Sequence, residues 1–117
     1  MFTKTTLKNG MRVILAPVEG TSATTVLALT SVGSRHENDA VWGGSHFIEH
    51  LMFKGTEKRP TTMDISQTLD RFGAQYNAYT GKDITGYWVK IDAEEAGTAI
   101  DLLHDMIFNS KYDPEEM

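Results

Sequence analysis

The chain has 117 residues, a formal net charge of −5, 40% hydrophobic and 23% charged residues, and no cysteine. This length suits a single domain, and the net negative charge argues against a nucleic-acid partner and against an anionic membrane surface. Without cysteine no disulfide can form, so a bound metal would need histidine and carboxylate ligands.

The N-terminal residues, Met1 to Thr6, lack the apolar core of a signal peptide. No apolar run along the chain approaches the length that is needed to cross a membrane. We therefore expect a cytoplasmic protein that has no membrane partner.

Three strands are predicted in the first third of the chain. Residues 3–8 and 11–16 flank Asn9-Gly10, a pair typical of a two-residue type I′ hairpin turn. A third strand is expected over residues 22–32, which are rich in Thr, Val and Leu. A polar stretch then leads into a mostly apolar helix, which Gly55 is expected to end.

The second half of the chain predicts a helix, a hairpin and a further helix. Thr61 is the expected N-cap of the first helix, with Asp64 completing a capping box. Strands are expected over residues 74–80 and 83–91. The last helix is expected to reach about Asn109, with a capping box formed by Asp92 and Glu95 and an apolar stripe made of Ala96, Ala99, Ile100, Leu103 and Ile107.

This order of elements predicts an α+β domain in which helices pack on one side of a mostly antiparallel sheet. Residues 92–117 contain eight acidic residues and one basic residue, Lys111. We expect most of this acidity to lie on a solvated helix face.

The stretch His46-Phe47-Ile48-Glu49-His50 has the pattern H-x-x-E-H, the reverse of the H-E-x-x-H motif of zinc proteases. On a helix, histidines four residues apart share one face, with Cβ atoms roughly 6 Å apart, and can bind one cation. Glu49 lies on the same face and can take a proton from water as the water attacks a carbonyl. Chance predicts the pattern about 0.01 times in this composition. The structural alternative is a satisfied polar cluster between helix and sheet, and two histidines leave a third ligand unassigned.

Several stretches together resemble the pitrilysin-type (M16) zinc metallopeptidases. The resemblance is carried by Gly33-Ser34-Arg35-His36-Glu37, by the helix from Ser45 to Thr56, and by the opening hairpin from Thr5 to Val13. It continues through Gly73 to Thr80 and through Asp83, Thr85 and Tyr87. It covers essentially the whole chain.

The resemblance implies a role for five residues. His46 and His50 match the family's zinc ligands, Glu49 matches its catalytic base, and Asn77 and Ala78 match edge-strand positions that hold the peptide substrate. The third ligand of the family, a glutamate, would fall beyond the end of this chain. Residues 1–117 would then be the incomplete N-terminal part of one M16 metallopeptidase domain, a truncated half unit.

The resemblance predicts a zinc-dependent endopeptidase that hydrolyses unfolded peptides and works with further M16 units, or a second subunit, closing a chamber. The chain by itself is then expected to be inactive. The alternative is a non-catalytic M16-like subunit with a structural or peptide-binding role, although such subunits usually lose motif residues and all three are present here. S-ribosylhomocysteine lyases also carry an H-x-x-E-H helix, but they need a cysteine in their site.

Overall fold

The computed structural model of the protein describes residues 1–31, 33, 40, 43–44 and 53–110. None of the helices in these ranges combines the length and apolar character needed to cross a bilayer. The strands are β1 (Thr3–Thr6), β2 (Arg12–Leu15), β3 (Ala23–Thr30), β4 (Gln75–Thr80) and β5 (Thr85–Asp92), and the α-helices are α1 (Thr62–Asp70) and α2 (Ala96–Phe108).

The central sheet has the strand order β3-β5-β4, with β5 antiparallel to both neighbours. Alternate residues of β5, namely Tyr87, Val89 and Ile91, are buried on one face, as expected for a strand with one covered side. Both helices contribute to the same core through Ile65, Leu69, Ala99, Leu102, Leu103 and Met106. The predicted α+β architecture, with an antiparallel sheet and helices packed on one side, is confirmed.

The predicted N-terminal hairpin forms, but its turn is not the two-residue type. β1 and β2 pair antiparallel, with Thr6 opposite Arg12. The Gly10 N–H donates to the Leu7 carbonyl, so the turn begins one residue earlier and Gly10 follows it with φ +89°. The Asn9 side chain accepts the Met11 N–H at 3.0 Å, a local bond that favours this longer turn.

The N-terminus of α1 matches its prediction. The Thr61 hydroxyl accepts the Asp64 N–H at 3.1 Å, and the Asp64 carboxylate accepts the Thr61 N–H at 2.9 Å. These reciprocal bonds satisfy backbone donors that the first helical turn would otherwise leave unpaired. The predicted Thr61–Asp64 capping box is therefore confirmed.

The N-terminus and the buried face of α2 differ from the prediction. The Asp92 side chain caps a 3-10 turn, Ala93–Glu95, and Glu95 makes no cap bond to α2. The Ile100 side chain is 57% exposed, whereas Leu102 and Met106 are buried. The helix therefore presents a face rotated from the predicted stripe, and this face includes the acidic Asp105.

Candidate active site

The H-x-x-E-H residues His46, Glu49 and His50 lie outside the described residues, and their geometry stays a prediction. The described chain resumes at Phe53, three residues after His50. Asn77 and Ala78, the two predicted substrate-binding residues, are both described and lie on β4.

Phe53, three residues after His50 in the sequence, packs against the sheet. Its ring is stacked on Tyr76 of β4, with ring centroids 6.4 Å apart, and tilted against Tyr87 of β5 at 6.5 Å. Aromatic pairs at such distances gain energy beyond their area burial. The Tyr76 hydroxyl also lies 3.3 Å from Ser66 of α1. Phe53 is thereby held beside β4.

A tight turn follows Phe53. Gly55 adopts φ +141°, and a Cβ at this position would collide with the Pro60 carbonyl oxygen. Within the turn, the Thr56 N–H donates to the Arg59 carbonyl at 2.8 Å, and the Arg59 N–H donates to Thr56 Oγ1 at 2.9 Å. Glycine is required here because both the backbone conformation and the close approach exclude a side chain.

This turn is held against α2 by the carboxylate of Asp105. Asp105 Oδ2 accepts the Thr56 hydroxyl at 2.6 Å and Arg59 Nη1 at 2.8 Å, while Oδ1 accepts Asn109 Nδ2 at 3.3 Å. Thr56 also forms an isolated antiparallel bridge with Ser110, just after α2. The carboxylate is therefore fully engaged by groups from two segments of the chain.

Burial alone would raise the pKa of Asp105, but the hydrogen bonds from Thr56, Arg59 and Asn109 outweigh it and hold the pKa below its ordinary value. Asp101 lies one helical turn earlier. Its hydrogen bonds with Lys58 and Arg59 lower its pKa as well. Both carboxylates are thus kept charged, so part of the acidic C-terminal stretch pairs with basic side chains and is not simply a solvated face.

Strand β4 presents one edge away from the rest of the described sheet, because it pairs with β5 alone among the described strands. In an antiparallel pair each residue directs its N–H and C=O either to the partner strand or away from it. The Ala78 N–H donates not to β5 but to Asn77 Oδ1, at 2.8 Å. The backbone of Ala78 therefore faces the outer edge, as a peptide-binding position requires.

Among the described residues, no group of three His, Cys, Asp or Glu side chains could hold a metal ion. Asp101 and Asp105 already bind cationic side chains, and His104 lies exposed on α2 with its ring against Phe108. A metal site in this protein would therefore draw on residues outside that part, where the motif lies.

The contact between the post-motif turn and α2 joins residues 46 to 49 positions apart and is not predicted by local sequence patterns. Asp105 follows Leu102 by three residues and precedes Met106 by one, so it falls on the apolar stripe of α2 that the structure reveals. A charged residue on such a stripe indicates a buried partner. The signal was present, but nothing local identified Arg59 as that partner.

Comparison with known proteins assigns this chain to a family. Residues 12–117 match the family model described as insulinase, peptidase family M16. The chain is 38% identical over 117 residues to an uncharacterized zinc protease of Bacillus subtilis, covering 100% of this chain and 28% of that protein. It is also 38% identical over 109 residues to the beta subunit of the mitochondrial-processing peptidase of Dictyostelium discoideum, covering 93% and 23%.

A solved structure has the same fold. The crystal structure of a protease from Helicobacter pylori superposes with a TM-score of 0.92 at 31% identity, covering 99% of this chain and 28% of that one. The chain thus spans about a quarter of the length of these relatives.

Proposed function

Because this chain belongs to the insulinase (M16) family of peptidases, we propose that it carries the motif and substrate strand of a zinc-dependent endopeptidase acting on unfolded peptides. His46 and His50 are the proposed zinc ligands and Glu49 the proposed general base. The observation that carries the proposal is the packing of Phe53, three residues after His50, on Tyr76 of the strand that bears Asn77 and Ala78. This contact holds Phe53, which follows the motif closely in the sequence, beside a strand whose edge suits a peptide.

The donor set suits zinc by its chemistry. Two imidazoles at i, i+4 spacing are common zinc ligands in hydrolases, and a nearby carboxylate commonly acts as the general base. A bound zinc ion supplies Lewis acidity towards a carbonyl group and lowers the pKa of water. On a helix, Glu49 would share the face of the two histidines and could accept a proton from water and return it to the leaving amine.

The edge of β4 suits an extended peptide. Such a peptide adds to a sheet through main-chain hydrogen bonds, which do not depend on the identity of its side chains. In the structure, the Ala78 N–H donates to Asn77 Oδ1. A carbonyl of an incoming peptide would take over this donor, and the released Asn77 amide could then bond to the peptide backbone. Unfolded peptides are the substrates able to pair in this way.

Further units complete the proposed enzyme. Since relatives named as zinc proteases and as a processing-peptidase subunit are about four times as long as this chain, we propose that other M16 units, or a second subunit, close a chamber over the peptide. The 117-residue chain alone is then inactive. The alternative is a non-catalytic M16-like subunit that binds peptides or serves assembly. The presence of His46, Glu49 and His50 favours the catalytic role.

The test uses the full-length protein that contains these residues. Wild-type protein is expected to bind about one zinc per chain and to hydrolyse a quenched fluorogenic peptide. Glu49→Gln is expected to abolish hydrolysis and to retain the metal, since the amide cannot accept the proton. Glu57→Gln, an exposed carboxylate on the post-motif turn, is the control with the same charge change. Undiminished hydrolysis by Glu49→Gln would reject Glu49 as the base, and metal-bearing protein without hydrolysis would favour the alternative.

A further inference from the structure

Asp105 is a buried carboxylate that the proposed chemistry does not use. It lies on α2, its side chain is 6% exposed, and it accepts hydrogen bonds from Thr56, Arg59 and Asn109. An acidic residue so enclosed loses its hydration, and the loss must be offset by well-aligned donors. The arrangement therefore holds its partners in one geometry.

Two of those partners belong to the turn that follows the motif. Thr56 is fully buried, and its hydroxyl donates to Asp105 and accepts the Arg59 N–H. The Arg59 side chain is 12% exposed and closes the same cluster from the other side. Thr56 follows His50 by six residues in the sequence, and Phe53 between them is packed on the sheet. The turn that Asp105 holds is therefore close in sequence to the proposed zinc ligand His50.

The two attachments have different physical characters. The packing of Phe53 on Tyr76 and Tyr87 is apolar, and dispersion between rings is less directional than a charge-assisted hydrogen bond. The bonds to Asp105 are charge-assisted and directional, and an imperfect placement leaves a buried charge poorly satisfied. The carboxylate is thus the contact that selects one position of the turn relative to α2.

We propose that Asp105 is a positioning residue for the active site, acting through the turn that it anchors by Thr56 and Arg59 shortly after the H-x-x-E-H segment in the sequence. This inference rests on the proposed peptidase function, because it assigns a consequence for metal binding and turnover. Asp101 pairs with the same Arg59, but its side chain is 50% exposed, and its bonds compete with water. Asp101 therefore contributes little to the placement.

The test compares Asp105→Asn with Ile91→Ala in the full-length protein. Ile91 is buried near the C-terminal end of β5, so its truncation should destabilise the fold without removing a hydrogen bond of the turn. Zinc affinity by chelator competition, kcat, KM and the unfolding temperature are measured for each variant. Asp105→Asn is expected to weaken zinc affinity and to lower kcat by about tenfold or more, with KM within about twofold, as for groups that orient metal ligands. Ile91→Ala and Asp101→Asn are expected to keep zinc affinity and kcat within about twofold.

A conservative pair keeps the test decisive if Asp105→Asn does not fold. Thr56→Val removes the hydroxyl at nearly constant volume and should reproduce the losses in zinc affinity and kcat, whereas Thr56→Ser keeps the hydroxyl and should restore both. If the Asp105 and Thr56→Val proteins lose no more zinc affinity or kcat than Ile91→Ala at equal loss of unfolding temperature, Asp105 is merely structural and the inference is overturned. Failure of the wild-type protein itself to bind zinc would instead overturn the proposed function together with the inference.

Discussion

The guanidinium of Arg59 and the carboxylate of Asp105 form a buried ion pair in which Nη1 lies 2.8 Å from Oδ2. The two residues are separated by 46 positions in the chain. The pair connects the turn after the H-x-x-E-H motif to the last helix of the described chain.

Asp105→Ala should lower the free energy of unfolding by about 3 kcal/mol, because it leaves the Arg59 guanidinium and the Thr56 hydroxyl buried with fewer acceptors. Asp101→Ala, which removes the half-exposed partner of the same arginine, should cost no more than about 1 kcal/mol. Urea unfolding at neutral pH measures both changes. Equal losses for the two variants would contradict the view that burial makes the Asp105 contact the stronger one.

The same contact has a pH signature, with a sign set by the lowered pKa of Asp105 in the folded protein. A depressed folded-state pKa contributes stability that is fully present above the ordinary value of 3.8 and is lost as pH falls through the folded-state pKa. The unfolding free energy of the wild-type protein should therefore decline on acidification below that value. Asp105→Asn should show a shallower decline. A slope unchanged from wild type would show that the hydrogen bonds to Asp105 do not lower its pKa in the folded protein.

Gly55→Ala should destabilise the protein by at least about 2 kcal/mol, since φ +141° is costly for alanine and the Cβ would meet backbone of Pro60, which cannot rotate away. Gly97→Ala is the matched control. Gly97 lies in α2 with no atom within 4 Å of an added Cβ, so alanine should stabilise by about 0.5 kcal/mol through helix propensity. Thermal unfolding of the two variants distinguishes them. A Gly55→Ala protein as stable as wild type would refute the tight turn.

Asn77→Ala should raise KM in the full-length protein by about two- to tenfold, the equivalent of one lost hydrogen bond, and should leave zinc content unchanged. Gln75→Ala supplies the control, because Gln75 is also an exposed amide on the same face of β4, two residues earlier. Initial rates on a quenched peptide give both constants. A KM that rises equally in both variants, or in neither, would remove Asn77 from the substrate strand.

Much of the local structure could be predicted from short stretches of sequence. The Thr61–Asp64 capping box and the alternation of Tyr87, Val89 and Ile91 were correct because each depends on neighbours within a few residues. The H-x-x-E-H motif was recognised for the same reason, although its geometry lies outside the described residues. Asn77 and Ala78 were placed on a strand, and the structure adds that this strand is an edge within the described sheet.

Other features depended on residues far apart in the chain. The exposed Ile100 and the buried Met106 show that the packing of α2 against the sheet, and not its own periodicity, chose which face is covered. Asp105 was read as part of a solvated acidic stretch because its partners come from a turn 46 to 49 residues earlier. The sequence by itself determined the elements, the family motif and the chemistry of its donors, since these reside in local patterns. Only the tertiary structure decided that the buried carboxylate of Asp105 binds Thr56 and Arg59 of the turn after that motif. A charged side chain is stable in the interior only where folding brings an opposite charge and hydrogen-bond donors to it.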